Sequence, residues 1–329
     1  MKYISYRDLG WLVCFLLFAC QSEVITEQAN GNTLQVLSVD LDNGGNTKAE
    51  VTSSISNVKV YTTTAANAEI AENTLVVYNN DGSSWSCDTP PELTDDTYNV
   101  YAYYPLQRGD GGEVIAAKNN TGGDHTIPVL IYTEDSFDDQ QQDDYLYADQ
   151  TTPLTASKST KAVRFTMKHA LSKVSFEITK DESATEKLVL TQVDIIGKTN
   201  SLQTGGGDMY LQTGGLVGLQ SKDQISLTGS IELKSNSLSS PNISALVAPM
   251  SKYEKVLSFR LTVLVDGVSR VFETGTVKKD DATDWLGVKW EPGVHYVYQI
   301  KVSKMGGVIN GVSVYDWKKD SDQNTQVGI

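Results

Sequence analysis

Residues 33 to 41 read Thr-Leu-Gln-Val-Leu-Ser-Val-Asp-Leu, and this stretch indicates the fold class of the chain. Apolar side chains lie largely at alternate positions, which is the period of a half-buried β-strand. The apolar residues of this predicted first strand are Leu34, Val36, Leu37, Val39 and Leu41. Asp, Asn and Gly then dominate residues 42–46 and predict an exposed loop, which continues through a lysine to residue 49.

Similar signals recur along the whole chain, where β-branched and aromatic residues cluster between turns. They predict strands at 58–62, 74–78, 98–104, 126–132, 162–166, 169–178, 188–196, 225–233, 244–247, 256–265, 274–277 and 296–302. Helix signals are confined to 168–173 and 251–256. Glycines 205 to 207 are interpreted as a turn, and 107–123 and 133–144 as solvated loops. The fold class predicted is therefore all-β with few short helices.

The length of 329 residues favours two domains, each large enough to bury its own core. A stretch at 150–160 is rich in Ser and Thr and has no strong period, so we place the boundary there. The predicted division is an N-terminal β-sandwich at 34–158 and a C-terminal β-sandwich at 159–329.

The charge balance excludes one class of partner. The chain has 41 acidic and 27 basic side chains, a formal net charge of -14, spread in short clusters. A nucleic-acid partner requires a basic footprint, so we expect none.

The N-terminus has the composition of an export signal. Lys2 and Arg7 precede an apolar run that ends at a cysteine, which predicts a signal peptide at 1–19. Leu17, Phe18, Ala19 and Cys20 resemble a bacterial lipobox, so we expect acylation of Cys20 and a tether at 20–33. Acyl chains would hold the protein to the outer membrane, and an acidic residue soon after the cysteine favours the cell surface. The alternative is an ordinary secretory signal that ends near a cysteine.

The residue types that carry catalysis or bind metals are sparse. Cys87 is the one cysteine beyond the N-terminal segment, and it has no nearby basic residue to favour a thiolate. No histidine has a second His or Cys at metal-ligand spacing, and the acidic stretch at 135–149 lacks the spacing of a calcium loop. No nucleotide or hydrolase motif is present. We therefore expect no cofactor, no metal and no enzyme, and a secreted hydrolase is the last of the alternatives.

Several features in a shared order resemble the fimbrillin family of Bacteroides-type bacteria, which are pilus subunits exported as lipoproteins. After the lipobox ending at Cys20 they are Thr-Lys-Ala at 47–49, Tyr-Ala-Tyr-Tyr-Pro at 101–105, Asp-Tyr-Leu-Tyr-Ala at 144–148, the segment 165–174, Trp-Glu-Pro-Gly at 290–293 and Val-Ser-Val-Tyr-Asp-Trp at 312–317. The resemblance implies two β-sandwich domains of transthyretin-like topology. It also implies a structural role in a fimbrium at the outer membrane surface, with other fimbrillin-type subunits as partners.

The resemblance implies an assembly mechanism as well. In the family a protease cuts the loop after the first strand, the strand is lost, and a strand of another subunit fills the groove. Here the removable strand is 34–41, and the cut falls between Lys48 and Ala49. The family usually has arginine at this position, whereas this chain has no arginine between Arg7 and Arg108. A lysine-accepting protease is required, and an uncut subunit would act as an anchor.

The resemblance also points to a donor strand near the C-terminus, with Val308, Val312, Val314 and Trp317 as the residues that fill successive pockets. The alternative is that this segment is only the last strand of its own sheet. For the whole protein, the alternative function is a surface lipoprotein or pilus-tip module that binds glycans or host proteins.

Overall fold

The computed structural model describes residues 31–42, 55–64, 75–118, 125–138, 140–150, 154–197, 201–235, 243–250, 257–274, 289–316 and 326–328. Of residues 309–316 and 326–328 it describes the backbone. Cys20, Lys48, Ala49 and Trp317 lie outside the described residues. Contacts between Cα atoms group Asn32–Ile329 into one compact unit.

Every regular element in the described residues is a β-strand, which confirms the all-β fold class. In chain order the strands are β1 (Gln35–Leu41), β2 (Asn57–Thr64), β3 (Leu75–Asn80), β4 (Trp85–Ser86), β5 (Tyr98–Tyr104), β6 (Ala117–Lys118), β7 (His125–Ile131), β8 (Glu134–Ser136), β9 (Leu146–Ala148), β10 (Leu154–Ala156), β11 (Ala162–His169), β12 (Ser172–Lys180), β13 (Leu188–Gly197), β14 (Leu202–Tyr210), β15 (Leu216–Val217), β16 (Gln220–Lys222), β17 (Gln224–Glu232), β18 (Ile243–Val247), β19 (Leu257–Val265), β20 (Val268–Glu273), β21 (Val294–Ser303), β22 (Gly306–Asp316) and β23 (Gln326–Gly328). Among these residues no helix is long and apolar enough to cross a membrane.

The strands form four sheets. Sheet 1 has the order β1-β11-β9-β5-β2-β3-β4, with β10 also paired to β5. Sheet 2 has the order β15-β14-β7-β6, with β16 paired to β14. Sheet 3 has the order β18-β12-β21-β22-β23, and sheet 4 has the order β20-β19-β13-β17-β8.

Three hydrophobic cores hold the sheets together. The first core lies on one face of sheet 1 and includes Val60, Val100 and Phe165. The second core joins the other face of sheet 1, through Tyr61 and Tyr103, to β7 and β14 of sheet 2. The third core lies between sheets 3 and 4, where Phe176, Phe259 and Tyr298 pack ring against ring. Central strands of sheet 1, such as β2 and β5, present alternate residues to the first and second cores, so both of their faces are buried.

Sheet 1 curves around the first core. Its two outermost strands, β1 and β4, approach within 8 Å between Cα atoms although no ladder joins them. A hydrogen bond crosses the enclosed space, from the hydroxyl of Tyr78 on β3 to the carbonyl of Leu34 at the start of β1. The strand predicted at 33–41 therefore lies beside a curved, buried apolar surface.

Four local expectations are wrong. Residues 168–173 are not a helix, because β11 ends at His169 and β12 begins at Ser172, with Ala170 and Leu171 buried between them. Glycines 205 to 207 are not a turn, because they lie inside β14 and pair with β7. The segments at 133–144 and 107–123 are not entirely loops, because the first contains β8, which pairs with β17, and the second contains the two-residue β6, which pairs with β7. In each case pairing with another strand overrides the local signal. The predicted helix at 251–256 lies outside the described residues.

The division at residue 158 and the transthyretin-like topology stay predictions. Sheet pairing crosses residue 158 in four places: β1 with β11, β9 with β11, β7 with β14, and β8 with β17. The N-terminal β1 therefore takes its ladder partner from beyond the predicted boundary.

Candidate functional site

The predicted removable strand, β1, is an edge strand of sheet 1. It runs parallel to β11, with Gln35 beside Ala162, Val39 beside Phe165 and Leu41 beside Met167. Within the described residues β11 is its one ladder partner. A strand in this position can leave without breaking the ladders that hold the rest of the sheet.

A β-bulge interrupts β1 and explains its imperfect alternation. Val36 pairs with Val163 and Ser38 with Arg164, so Leu37 is the extra residue. A bulge of one residue shifts the side-chain alternation by one position. Val36 is therefore buried in the first core and Val39 and Leu41 pack against it, while Leu37 is 39% exposed. Of the five apolar residues predicted for the removable strand, Leu37 contributes least to burial.

Hydrogen bonds hold the N-terminal end of β1 on three sides. The amide of Leu34 donates to the carbonyl of Pro91 at 2.9 Å, and the amide of Leu93 donates to Asn32 at 2.6 Å. On the other side, Gln35 donates to Lys161 at 2.9 Å.

From the interior, the Tyr78 hydroxyl donates to the Leu34 carbonyl at 2.7 Å. Tyr78 is 2% exposed, and burial raises the pKa of its hydroxyl, which keeps the proton it donates. Because the hydroxyl is enclosed, any strand in this place must supply an acceptor for it.

The C-terminal end of β1 is held less tightly than its N-terminal end. Val39 and Leu41 are half-buried, and the amide of Asp42 donates to the carbonyl of Met167 at 2.7 Å. The Asp42 carboxylate lies 3.7 Å from the ammonium of Lys168, which also binds Asp149 at 2.5 Å. These charged groups are partly exposed, so the ion pairs contribute little. The predicted cut lies beyond this end of the strand.

The strand beside β1, β11, presents a strongly apolar face to the first core. Val163, Phe165 and Met167 alternate along β11 with exposed residues and are at most 4% exposed. Loss of β1 would uncover these side chains and the edge of β11. Full exposure of each side chain costs about 1.5–3 kcal/mol. Unpaired backbone groups along the same edge add a template for another strand.

The predicted donor segment is a strand of sheet 3. β22 pairs antiparallel with β21 along its length and with β23 at residues 311–313. Val308 is 63% exposed, while Val312 and Val314 lie in the described backbone. The structure does not bring these residues to the β1 groove of the same molecule.

The three histidines have structural partners. The three histidines lie far apart in sequence and bond to different groups: His125 to Tyr61, His169 to Asp144 and His295 to Ser175, at 2.9, 2.8 and 2.7 Å. Burial raises the pKa of the Cys87 thiol, which disfavours a thiolate. In the described part of the chain no group of three or more His, Cys, Asp or Glu residues is arranged to hold a metal.

Two parts of this site were not predicted from the sequence: Tyr78 and the segment at residues 91–93. Tyr78 belongs to a predicted strand, but nothing in the local pattern relates it to Leu34, 44 residues away. A tyrosine among apolar strand residues indicates a buried ring whose hydroxyl needs a hydrogen-bond partner. This is the one sequence signal that points to Tyr78, and it does not identify the partner.

One family model and several solved structures are similar to this chain. The model of a family described as fimbrillin-like matches residues 39–317. A fimbrial protein from Bacteroides vulgatus has a TM-score of 0.56 at 12% identity, covering 87% of this chain and 99% of that chain.

Two candidate cell adhesion proteins have a similar fold. The one from Bacteroides uniformis has a TM-score of 0.54 at 18% identity, covering 87% and 98% of the two chains. The one from Bacteroides ovatus has a TM-score of 0.54 at 17% identity, covering 89% and 100%. None of the curated proteins matches the chain. At these identities the structures show a shared fold, and the family match extends over most of the sequence. The chain belongs to the fimbrillin-like family.

Proposed function

We propose that this protein is a structural subunit of surface fimbriae, assembled by proteolytic removal of β1 and insertion of a strand from another subunit. Membership of the fimbrillin-like family supports a fimbrial or adhesive role at the cell surface, and a structural role without catalysis. The observation that carries the mechanism is the position of β1, an edge strand that covers a buried apolar surface.

The steps follow from this geometry. Export and acylation of Cys20 bring the subunit to the outer membrane. Cleavage between Lys48 and Ala49 separates β1 from the rest of the chain. Loss of β1 removes the lipid with it and opens a groove with an apolar floor and a free strand edge. Strand addition at such an edge combines main-chain hydrogen bonds with side-chain pockets.

The same geometry gives the uncleaved subunit a different role. An intact chain keeps both β1 and the acylated Cys20, so its groove is filled and it stays on the membrane. Such a subunit would anchor a fimbrium. Glycan binding has less support, because the two tryptophans in the described residues, Trp85 and Trp290, are half-buried and buried.

The test is the N-terminal mass of protein recovered from the cell surface, with and without inhibitors of trypsin-like proteases. We expect a start at Ala49 without inhibitor, together with a ladder of polymers on a gel run without boiling. Lys48→Gln should abolish both, whereas Lys158→Gln, at an exposed lysine, should change neither. Cys20 as the one N-terminus of every recovered chain would exclude a polymerising subunit.

A further inference from the structure

An exposed edge of sheet 4 is formed by β20. The strand pairs with β19 on one side, and among the described residues no strand pairs with its other side. Its sequence is Val-Ser-Arg-Val-Phe-Glu, in which the valines and the phenylalanine have high strand propensity. Val268 and Val271 are 57% and 60% exposed. An exposed edge of this composition is a template for pairing with another strand.

The hairpin of β19 and β20 fixes which backbone groups of β20 point outward. Its turn at residues 266–267 has positive φ angles of 48° and 84°, as a two-residue hairpin turn requires. At the other end of β20 the amide of Thr274 donates to the carbonyl of Phe259 at 2.8 Å. Hydrogen-bonded positions alternate along an antiparallel strand, so the even-numbered residues of β20 bond to β19. The residues whose amides and carbonyls point away from sheet 4 are Ser269, Val271 and Glu273.

From these directions we propose that β20 pairs with β20 of a second copy of the chain, antiparallel and across a two-fold axis at Val271. Two copies of sheet 4 then form one continuous sheet. Val271 lies opposite Val271 of the second copy, and Ser269 lies opposite Glu273. Each outward-pointing amide and carbonyl gains a hydrogen-bond partner. The pairing needs neither cleavage at Lys48 nor loss of β1, so it is independent of the proposed strand replacement.

Hydrogen-bond direction and charge select this register over its neighbours. Only odd-numbered residues of β20 point outward, so the axis can move along the strand but the residues that bond across it stay odd-numbered. An axis at Arg270 would place this arginine opposite itself, and like charges directly opposite are unfavourable. An axis at Phe272 would place Val271 opposite Glu273 and leave Ser269 beyond the end of the facing strand.

Charge permits self-pairing at this edge although the whole chain is acidic. The formal net charge is -14, so copies of the chain repel one another. The strand itself carries one charge of each sign, Arg270 and Glu273, and the guanidinium of Arg260 lies 3.8 Å from the Glu273 carboxylate. The surfaces that meet are therefore not acidic on balance. In the proposed register Arg270 also lies opposite Phe272, which places a cation beside an aromatic ring.

The proposed contact joins subunits side by side rather than end to end. One short ladder holds two free chains weakly. Where many copies of the edge are held in a row on neighbouring fimbriae or on the cell surface, their contacts act together and the overall association is much stronger. The partner of this surface is a second copy of the same chain, and its role is lateral association.

The test is disulfide trapping in the full chain, with Cys14, Cys20 and Cys87 replaced by serine and a single cysteine introduced. At a hydrogen-bonded pair of an antiparallel ladder the two Cα atoms lie about 5.5 Å apart, which is within the range of a disulfide. Val271→Cys should therefore form a covalent dimer under mild oxidation, measured on a gel run without reducing agent.

Two matched variants test the register. In the proposed pairing the two copies of residue 269 lie about 13 Å apart along the strands, too far for a disulfide. Residue 228 is exposed on β17 of the same sheet, three strands from β20. Ser269→Cys and Thr228→Cys should both form dimers at least about tenfold more slowly than Val271→Cys. Equal rates at the three positions overturn the proposed pairing.

Association without a cross-link is measured by sedimentation of the same serine-substituted chain over a range of concentrations. Val271→Lys places two ammonium groups opposite each other and should raise the Kd of the dimer at least about tenfold. Val308→Lys, at a valine of β22 that is 63% exposed, should change the Kd less than about twofold. A chain that forms no dimer, or a Kd that Val271→Lys leaves unchanged, overturns self-pairing at β20.

Discussion

Single side chains decide how firmly β1 is held. Tyr78 lies on β3, which is not a ladder neighbour of β1, yet its hydroxyl bonds to the carbonyl of Leu34. The bond crosses the first core and ties the start of β1 to the opposite part of sheet 1. A buried donor and acceptor of this kind are costly to separate, because neither has water as a substitute partner.

We expect Tyr78→Phe to lower the free energy of unfolding of the intact chain by about 1–2 kcal/mol, because the carbonyl of Leu34 loses its buried donor. Urea unfolding measures this. Tyr210→Phe, at a half-buried tyrosine of sheet 2, is the matched control and should have a smaller effect. After removal of β1 the penalty of Tyr78→Phe should disappear. If Tyr78→Phe still lowers the free energy of unfolding of the cleaved chain, the Tyr78 hydroxyl stabilises a part of the protein other than β1.

His295 adds a dependence of stability on pH. It lies beside Lys173 in the ladder of β12 and β21. Burial, and then the charge of Lys173, lower the pKa of His295 to about 3. The unfolded chain therefore binds the proton more readily, with an ordinary pKa of about 6.5. The contribution of neutral His295 to the free energy of unfolding is complete above about pH 6.5. It is lost as the pH falls towards about 3.

From pH 7 to pH 5 the unfolded chain takes up a proton at His295 while the folded protein does not, and this should lower the free energy of unfolding by about 2 kcal/mol. His295→Gln should flatten this part of the curve, as urea unfolding at a series of pH values would show. Identical slopes for the two proteins would mean that His295 does not contribute.

At the scale of the element, the bulge sets which face of β1 each residue occupies. Val36→Ala removes a buried side chain and should cost about 2 kcal/mol. Leu37→Ala is the matched control, because Leu37 is the extra residue and is 39% exposed. It should cost less than about 1 kcal/mol. Equal penalties in urea unfolding would contradict the bulge.

Two strands that the sequence did not predict, β14 and β8, have a common cause. β14 contains Gly205, Gly206 and Gly207, and β8 lies in an acidic, Gln-rich stretch. Glycine and acidic residues have poor strand propensity, so local patterns predict turns and loops for them. Pairing with β7 and β17 places both segments in sheets. Strands rich in β-branched and aromatic residues, such as β2, β5 and β19, were predicted close to their observed bounds.

For the whole molecule, charge opposes self-association. The formal net charge is -14, so copies of the chain repel one another. Raising the salt from about 0.01 M to about 0.15 M shortens the Debye length from about 30 Å to about 8 Å. We expect the rate of polymer laddering to rise several-fold over this range, measured on gels run without boiling. Lys48→Gln should give no ladder at any salt concentration. A rate that falls with salt would indicate attractive ion pairs between subunits instead.

The sequence by itself determined the all-β class, most strands and the apolar first strand. Alternating apolar side chains and turn-forming residues are patterns of consecutive residues, so the sequence shows them directly. It did not determine which strands meet. Gln35 lies beside Ala162, and Tyr78 reaches Leu34, through contacts between residues distant in the chain. The curvature of sheet 1, the position of β1 at its edge and the bulge at Leu37 therefore emerge only in the tertiary structure. Which distant strands pair depends on how whole sheet faces are buried against one another. A short stretch of sequence contains no information about that.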